Sequence, residues 1–421
     1  MDADVIVVGA GLAGLTCARH LEKAGLSVHV LEAGDQVGGR VRTDQVDGYL
    51  CDRGFQVLNP AYPAVGLELD LPALRMRMFG RGLGVRRSNR IVTLPRPSTL
   101  SDLLDLLRTP YANPKGLLDL GTLLRWLSPA LGRVPAVLDA PDAGIRDSLD
   151  QAHIGGALRR EVLEPFLAGV LLERDGTTSA NFARLLLRMF VRGTPGLPEE
   201  GMGAVPAQLA STLREPIRTG VTVRAVTLRR PGLQVDTLTD SRRARAVVIA
   251  TDGRTAAGLL GQHAEPGKGV VTWWFAGDVD PAADRYLVVD GRRRRRGPLV
   301  NAAVISATQP SYAPAGRQLV QASALLGEAG TDDALVRRQV GDLLQLDSTR
   351  WELISRNEIP YALPHQPAPL TLRRLGRLAQ LQPHRQHHRG RAARGRRRHA
   401  RQARDLAAQH RIVPGIPGRA G

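Results

Sequence analysis

Three glycines and a glutamate carry the first chemistry legible in this sequence. The glycines are Gly9, Gly11 and Gly14, in the run Gly9-Ala10-Gly11-Leu12-Ala13-Gly14, and the acid is Glu32. Together they suit recognition of a dinucleotide. Gly9 permits a tight turn, Gly11 lets the backbone approach a pyrophosphate, and Gly14 lets a helix lie close on a strand. The helix begins at Leu12 and Ala13, and its free N–H groups face the phosphates. Glu32, followed by Ala33, stands where a carboxylate accepts from a ribose hydroxyl. The elements that must position these residues are equally plain. Asp4 to Val8 is a short apolar strand, and Leu12 to Ala24 is a helix with Leu15, Ala18 and Leu21 at helical spacing. Gly25 stops that helix, and Val28 to Leu31 is a second strand ending on Glu32. A glycine turn used only for packing would leave the position of Glu32 unexplained.

Two further stretches follow, Gly38-Gly39-Arg40-Val41-Arg42-Thr43 and Asp52-Arg53-Gly54-Phe55-Gln56. With the glycine turn they resemble the flavin amine oxidase superfamily, which includes phytoene desaturases and protoporphyrinogen oxidases. The resemblance implies FAD rather than NAD. It implies that Gly38, Gly39 and Arg40 wrap the pyrophosphate, the Arg40 guanidinium fork pairing with phosphate and Arg42 adding a second contact. Gly54, Phe55 and Gln56 would lie near the isoalloxazine, and the backbone of Val223 would meet the adenine. The loop Gly201-Met202-Gly203 ahead of Pro206, and the run Glu164-Pro165-Phe166 before Gly169-Val170, are also similar to segments of the family. The resemblance covers Val5 to Pro364.

The implied fold is α/β: a Rossmann-like FAD-binding domain interrupted by a mixed α+β substrate domain. Residues 1–56, 197–262 and 351–372 are assigned to the first, 57–196 and 263–350 to the second, and 373–421 to a basic, disordered tail. The family's chemistry is hydride removal from a C–N or C–C bond to flavin N5, with oxygen or another acceptor reoxidising the flavin. In amine oxidases the strand corresponding to Val270–Ala276 often carries a lysine. Here that place is Thr272, and Lys268 comes too early. This departure counts against simple amine oxidation and favours desaturase- or protoporphyrinogen-oxidase-like work on a bulky apolar small molecule. No catalytic residue is assigned. Trp273 or Trp274 is expected to line the pocket, with core packing the competing role.

Composition sets the remaining bounds. The chain has 421 residues with a hydrophobic fraction of 43%, ordinary for a globular protein. No apolar run approaches a membrane span, although an apolar substrate makes peripheral membrane contact reasonable. The start runs directly into a strand, so no signal peptide is expected. Two cysteines, Cys17 and Cys51, exclude a disulfide framework and fit a reducing cytoplasm. The formal charge of +18 is lopsided: Thr371 to Gly421 holds fourteen Arg against one acid, Asp405. Arg292 to Arg296 reads as a solvated hairpin loop, with a nucleic-acid patch as the alternative.

After Pro364 the family shows a strand, a Gly-Asp turn and a last glycine-bearing helix. This sequence instead turns to Arg, His, Gly and Ala, and no run suits a strand before Ile412-Val413. Three readings stay open: translation out of frame from near residue 375, a basic arm for nucleic acid or anionic lipid, or a linker without partner. The first would leave an inactive or FAD-deficient product, and the second a polyanion-binding protein. Nucleic acid is not the expected partner, because no aromatics interleave the arginines. His384, His387, His388 and His399 have no cysteine or carboxylate support, so no metal is expected.

Overall fold

The computed structural model describes residues 1–96, 100–132, 134, 137, 140–280, 285–294, 297–328, 330 and 332–370, and the backbone alone of 379–381. The chain opens with β1 (Ala3–Val8), α1 (Leu12–Lys23) and β2 (Val28–Leu31), then a hairpin of β3 (Thr43–Val46) and β4 (Tyr49–Asp52). Next come α2 (Pro63–Glu68), β5 (Arg77–Met78), β6 (Gly82–Arg86) and β7 (Ile91–Pro95). A helical stretch holds α3 (Leu100–Leu107), α4 (Pro114–Leu131), α5 (Ile145–Gln151), α6 (Glu164–Leu171) and α7 (Ala180–Arg192). The chain returns through β8 (Gly196–Leu197), α8 (Ala204–Ala210), β9 (Val223–Leu228), β10 (Leu233–Thr237), β11 (Ser241–Ile249) and α9 (Gly253–Leu259). It then forms β12 (Gly267–Gly277), β13 (Val288–Asp290), β14 (Leu299–Val304), α10 (Ile305–Thr308) and β15 (Gln318–Leu325). The last elements are α11 (Asp333–Leu344), β16 (Glu352–Pro364) and β17 (Ala379–Leu381).

The first sheet runs β2-β1-β11-β10-β9, with β17 also on β11. β1 pairs in parallel with both β2 and β11. It is apolar on both faces because both are covered. Ile6 and Val8 pack with Val223, Leu233 and Val235 of the meander, while Val5 and Val7 pack on Leu15, Ala18 and Leu21 of α1.

The second sheet runs β16-β12-β15-β14-β13-β6-β7. Alternation along β12 sends Val271, Trp273 and Phe275 into one core with Val336, Val340 and Leu343 of α11. Trp274 and Ala276 enter another core with Tyr49, Phe79 and Tyr312. Both tryptophans are therefore packing residues, 0% and 1% exposed, and neither lines the pocket. Helices α4 to α7 pack among themselves through Trp126, Leu149, Leu167 and Leu185, and α7 is capped by the Ser179 side chain accepting from Phe182 N–H.

Several expectations need correction. Residues 351–372 are assigned to the FAD-binding domain, whereas their strand β16 hydrogen-bonds antiparallel along β12 of the second sheet. Arg292 does not sit in a solvated loop. Its guanidinium, buried between β13 and α11, meets Asp290 at 2.7 Å and Asp342 at 2.6 Å. Arg295 and Arg296 lie outside the described residues. Ala379–Leu381 forms a short strand antiparallel to β11 where none was expected, because Val247–Ile249 lie beyond the stretch of β11 that β10 covers. The rest of the basic tail, with its histidines, lies outside the described residues.

Candidate cofactor and substrate site

The β1–α1 turn is built as its glycines demand. Gly9 has φ +104°, and a methyl group on Gly14 would stand 1.9 Å from the Gly9 carbonyl oxygen. No side chain caps α1 at Gly11, so its first-turn N–H groups, including those of Leu12, Ala13 and Gly14, need an acceptor from outside the helix. Gly38 and Gly39, at φ +117° and +60°, close on this turn. Gly11 bridges Gly38 in parallel fashion, and Gly38 N–H donates to Ala10 O at 2.9 Å.

Glu32 leaves the end of β2 and folds back on the turn. One carboxylate oxygen accepts from Ala10 N–H at 2.7 Å and the other from Gly34 N–H at 2.8 Å. A carboxylate offers about four acceptor positions, so capacity remains for a ligand hydroxyl. Ala33 follows at the same strand end. Val221 N–H donates to Glu32 O at 2.8 Å, and Val223, two residues on, shares a buried cluster with Val8 and Leu31. The cradle fits a dinucleotide: side chains are missing at Gly11, Gly38 and Gly39, helix N–H groups stand at one end, and an acid stands at the other. At Arg40 one guanidinium nitrogen donates to Ala362 O of β16 at 2.6 Å, and the residue lines the cavity beside Gly39. Arg42 is held by Asp35 at 2.9 Å.

From Leu12, Gly39 and Arg40 a cavity of about 1410 Å³ runs past Gly54, Phe55 and Gln56 toward the helical layer. Gly54 has φ +97°. Gln56 is fixed by donating to Arg40 O at 2.6 Å and Arg53 O at 2.7 Å. Phe55 stands edge-on to Phe79, centroids 6.2 Å apart. Leu83, Leu94, Leu127, Phe166, Leu187 and Phe190 make an apolar wall. The acids that line it, Asp44 and Glu358, are paired with Arg53 at 2.8 Å and Arg356 at 3.5 Å. Arg81 and Arg96 also line it. Lys268 is clamped by Glu173 and donates to Thr178 at 2.6 Å. Thr272 is fully buried on the cavity side of β12.

Asp52 ties the parts together. It is 1% exposed and accepts from Thr43, from Met202 N–H at 3.0 Å and from the Tyr312 hydroxyl at 2.9 Å. Burial pushes its carboxyl up to about 6, against the pull of those three donors. Burial likewise pushes the Cys51 thiol up to about 12 and the Cys17 thiol to about 11, which makes both poor nucleophiles. The sequence pointed to Asp52 through the motif around it, but nothing near Tyr312 marked that residue as its partner. Arg81, Arg96 and the polar residues of β14, β15 and β16 that face the cavity carried no local signal.

The model of the flavin containing amine oxidoreductase family matches residues 12–352. A Mycobacterium tuberculosis protein named as a flavin-containing monoamine oxidase is 36% identical over 163 residues, 37% of this chain and 32% of that one. The hydroxysqualene dehydroxylase of Rhodopseudomonas palustris is 30% identical over 290 residues, 62% of this chain and 64% of that one. The chain thus spans about a third of the first relative's length and just under two thirds of the second's. An oxidoreductase structure from Methanosarcina mazei superposes with a TM-score of 0.66 at 16% identity, covering 86% of this chain and 88% of that one. Putrescine oxidase bound to putrescine gives 0.65 at 19% identity, covering 85% and 84%. At those identities the likeness is one of fold, the Rossmann-like fold of FAD-dependent oxidoreductases. The chain belongs to the flavin containing amine oxidoreductase family.

Proposed function

We propose that this enzyme oxidises a bulky, largely apolar small molecule, in the manner of desaturases and protoporphyrinogen oxidases rather than amine oxidases. The observation that carries this reading is the cavity wall. It is made of leucine and phenylalanine, and the acids lining it are already paired with arginine. An ammonium substrate would be desolvated there without a counter-charge, which is costly. The Rhodopseudomonas relative is named for hydroxysqualene, a molecule of the bulky apolar kind.

The chemistry that bound FAD would supply is hydride acceptance from a C–H bond, with oxygen or another acceptor as the final oxidant. The protein's part is binding, orientation and exclusion of water. Gly9, Gly11, Gly14 and the start of α1 hold the pyrophosphate with Gly38, Gly39 and Arg40. Glu32 takes a ribose hydroxyl, with Ala33 beside it, and Val223 takes the adenine. Gly54, Phe55 and Gln56 form the end of the cavity nearest the cradle and so set the face that substrate meets. Asp52 acts behind them by fixing Thr43, Met202 and Tyr312. We assign no catalytic base.

The test is anaerobic bleaching of the flavin absorbance. Isoprenoid or tetrapyrrole substrates should reduce the flavin and diamines should not. Fast reduction by putrescine, with none by apolar compounds, would sink the proposal. Substrate of this kind would partition into lipid. Exposed Leu104, Leu107, Leu117, Leu118 and Leu124 on α3 and α4 adjoin the cavity-lining Leu123 and Leu127 and favour a peripheral membrane contact. Co-sedimentation with phosphatidylglycerol vesicles should fall when Leu118 and Leu124 become Ser; unchanged sedimentation would remove the contact from the proposal.

A further inference from the structure

The second sheet sets four polar side chains in register across the face that looks into the cavity. Asn301 on β14 lies opposite Ser323 on β15, Ser323 opposite Thr272 on β12, and Thr272 opposite Asn357 on β16. Asn301, Ser323 and Asn357 line the cavity directly. Three of the four are buried in the protein, with exposures of 0% for Thr272, 2% for Ser323 and 3% for Asn301. Two residues along β15, on the same face, Gln321 is also at 0%.

A buried row like this would ordinarily be closed by hydrogen bonds within itself. It is not. Thr272 Oγ1, Asn301 Oδ1 and Gln321 Oε1 are buried without a protein partner among the described residues. Among the described residues two bonds hold the row from its side chains: Gln321 donates to Ser323 Oγ at 2.7 Å, and Asn357 donates to Ser355 Oγ at 2.9 Å. The first leaves the Ser323 proton free to be donated. On the other face of β12, the facing positions Val271, Trp273 and Phe275 are apolar and packed. The unpartnered oxygens of the row lie on the side where a ligand would lie, whereas the unpartnered indole nitrogens of Trp274 and Trp351 sit in the packed cores.

We infer that this row is the polar anchor of the substrate cavity, and that it holds a neutral alcohol group on an otherwise apolar substrate. The inference rests on the apolar-substrate reading above. The chemistry of the row selects the group. The row contains no acid or base, and the flanking Arg356 and Glu358 pair with each other at 3.5 Å. An ammonium or a carboxylate would meet no counter-charge at the row itself, since Arg81 and Arg96 flank β6 and β7 at the far edge of the sheet. A hydroxyl donates once and accepts twice, and so satisfies an amide oxygen and a side-chain hydroxyl together. The hydrocarbon remainder is taken by Leu127 and Phe166 across the cavity.

The test compares farnesol with farnesene, its hydrocarbon counterpart, on the purified full-length flavoprotein. Affinities are read by displacement of the neutral fluorophore N-phenyl-1-naphthylamine. Farnesol should bind roughly 10-fold more tightly, the worth of one to two net hydrogen bonds. Thr272→Val and Asn301→Leu should each bring the alcohol toward the hydrocarbon while farnesene affinity and flavin content hold. Thr272→Val should also melt no lower than the wild type, since it replaces an unbonded hydroxyl by a methyl group of the same shape; a clear fall would make the row structural and overturn the inference. Equal binding of both ligands by the wild type, or a preference that survives both substitutions, would mean that the row holds water alone and would overturn the inference while leaving the apolar-substrate reading intact. Binding of neither ligand would overturn both.

Discussion

At the residue scale, two buried charges decide more than their neighbours do. The Asp52 carboxyl is pushed up by burial to about 6 from an ordinary 3.8. A raised carboxyl pKa means that the folded chain binds the proton more tightly than the unfolded chain. The stabilisation is complete below the ordinary value and is lost as pH rises through about 6. Two units correspond to about 3 kcal/mol. Asp52→Asn cannot titrate, so the stability of the wild type minus that of the variant should decline by up to ~3 kcal/mol from pH 4 to pH 7 and then level off. Urea midpoints of both proteins across that range check it. A flat difference would mean that the Thr43, Met202 and Tyr312 donors keep the carboxylate ionised throughout. Arg292 is the second case. Its guanidinium faces Asp290 and Asp342, and Asp290 is 6% exposed. Arg292→Ala should cost about 3–5 kcal/mol, because it strands a buried carboxylate. Thermal melts check this, and a loss near zero would show that water reaches Asp290. Sequence reading placed Arg292 in a solvated run because five adjacent arginines look uniform. What singles out the first is the position of Asp290 at the end of β13 and of Asp342 on α11, a juxtaposition that exists only after the sheet and helix have packed.

At the element scale, the β1–α1–β2 unit was legible because its requirements are local. Gly14 must lack a side chain for α1 to lie on β1, and the spacing of glycines and acid follows from the turn itself. Gly14→Ala should therefore disrupt the unit, since its new methyl group would meet the Gly9 carbonyl oxygen at 1.9 Å. Expected are a loss of about 1–3 kcal/mol from overpacking and a preparation that no longer retains flavin. Gly258→Ala, in α9 with nothing within 4 Å of the added methyl, should instead gain up to ~1 kcal/mol. Melting temperature and flavin absorbance measured on both variants separate a packing glycine from an idle one; a Gly14→Ala protein that keeps stability and flavin would refute the assignment. Elements with non-local requirements were less legible. The thirteen residues of β16 look like an approach to the cofactor, yet their backbone groups are satisfied by β12, a partner far away in sequence. Val304-Ile305-Ser306 is β-branched at its start and reads as strand, but β14 ends at Val304 and Ile305–Thr308 turns as helix α10. The four polar cavity residues come from four separate strands, and no single strand reveals a row.

At the scale of the whole molecule, the two sheets are joined by a few specific bonds rather than by a shared sheet. The Tyr312 hydroxyl reaches from the second sheet's core to Asp52, whose other oxygen holds Met202 N–H ahead of α8. Gln309 donates to Leu197 O at 3.2 Å, and Arg40 bonds Ala362 of β16. The cofactor cradle and the cavity meet along this seam, so FAD should stabilise both halves and not the first sheet alone. Three of the four tryptophans, Trp273, Trp274 and Trp351, lie in the cores of the second sheet, which makes their fluorescence a reporter of the half that the glycine cradle does not belong to. With FAD at a hundred times its Kd, unfolding should become harder by about 2.7 kcal/mol. The tryptophan midpoint in urea should move with the midpoint for flavin release. If flavin release shifts and the tryptophan transition stays where it was without FAD, the sheets unfold independently. The seam at Asp52 would then be a contact between two separate folding units, and Asp52→Asn should leave flavin affinity unchanged. If both midpoints move together, the same substitution should lower both. That result would make Asp52 the residue through which occupation of the cradle stabilises the substrate sheet.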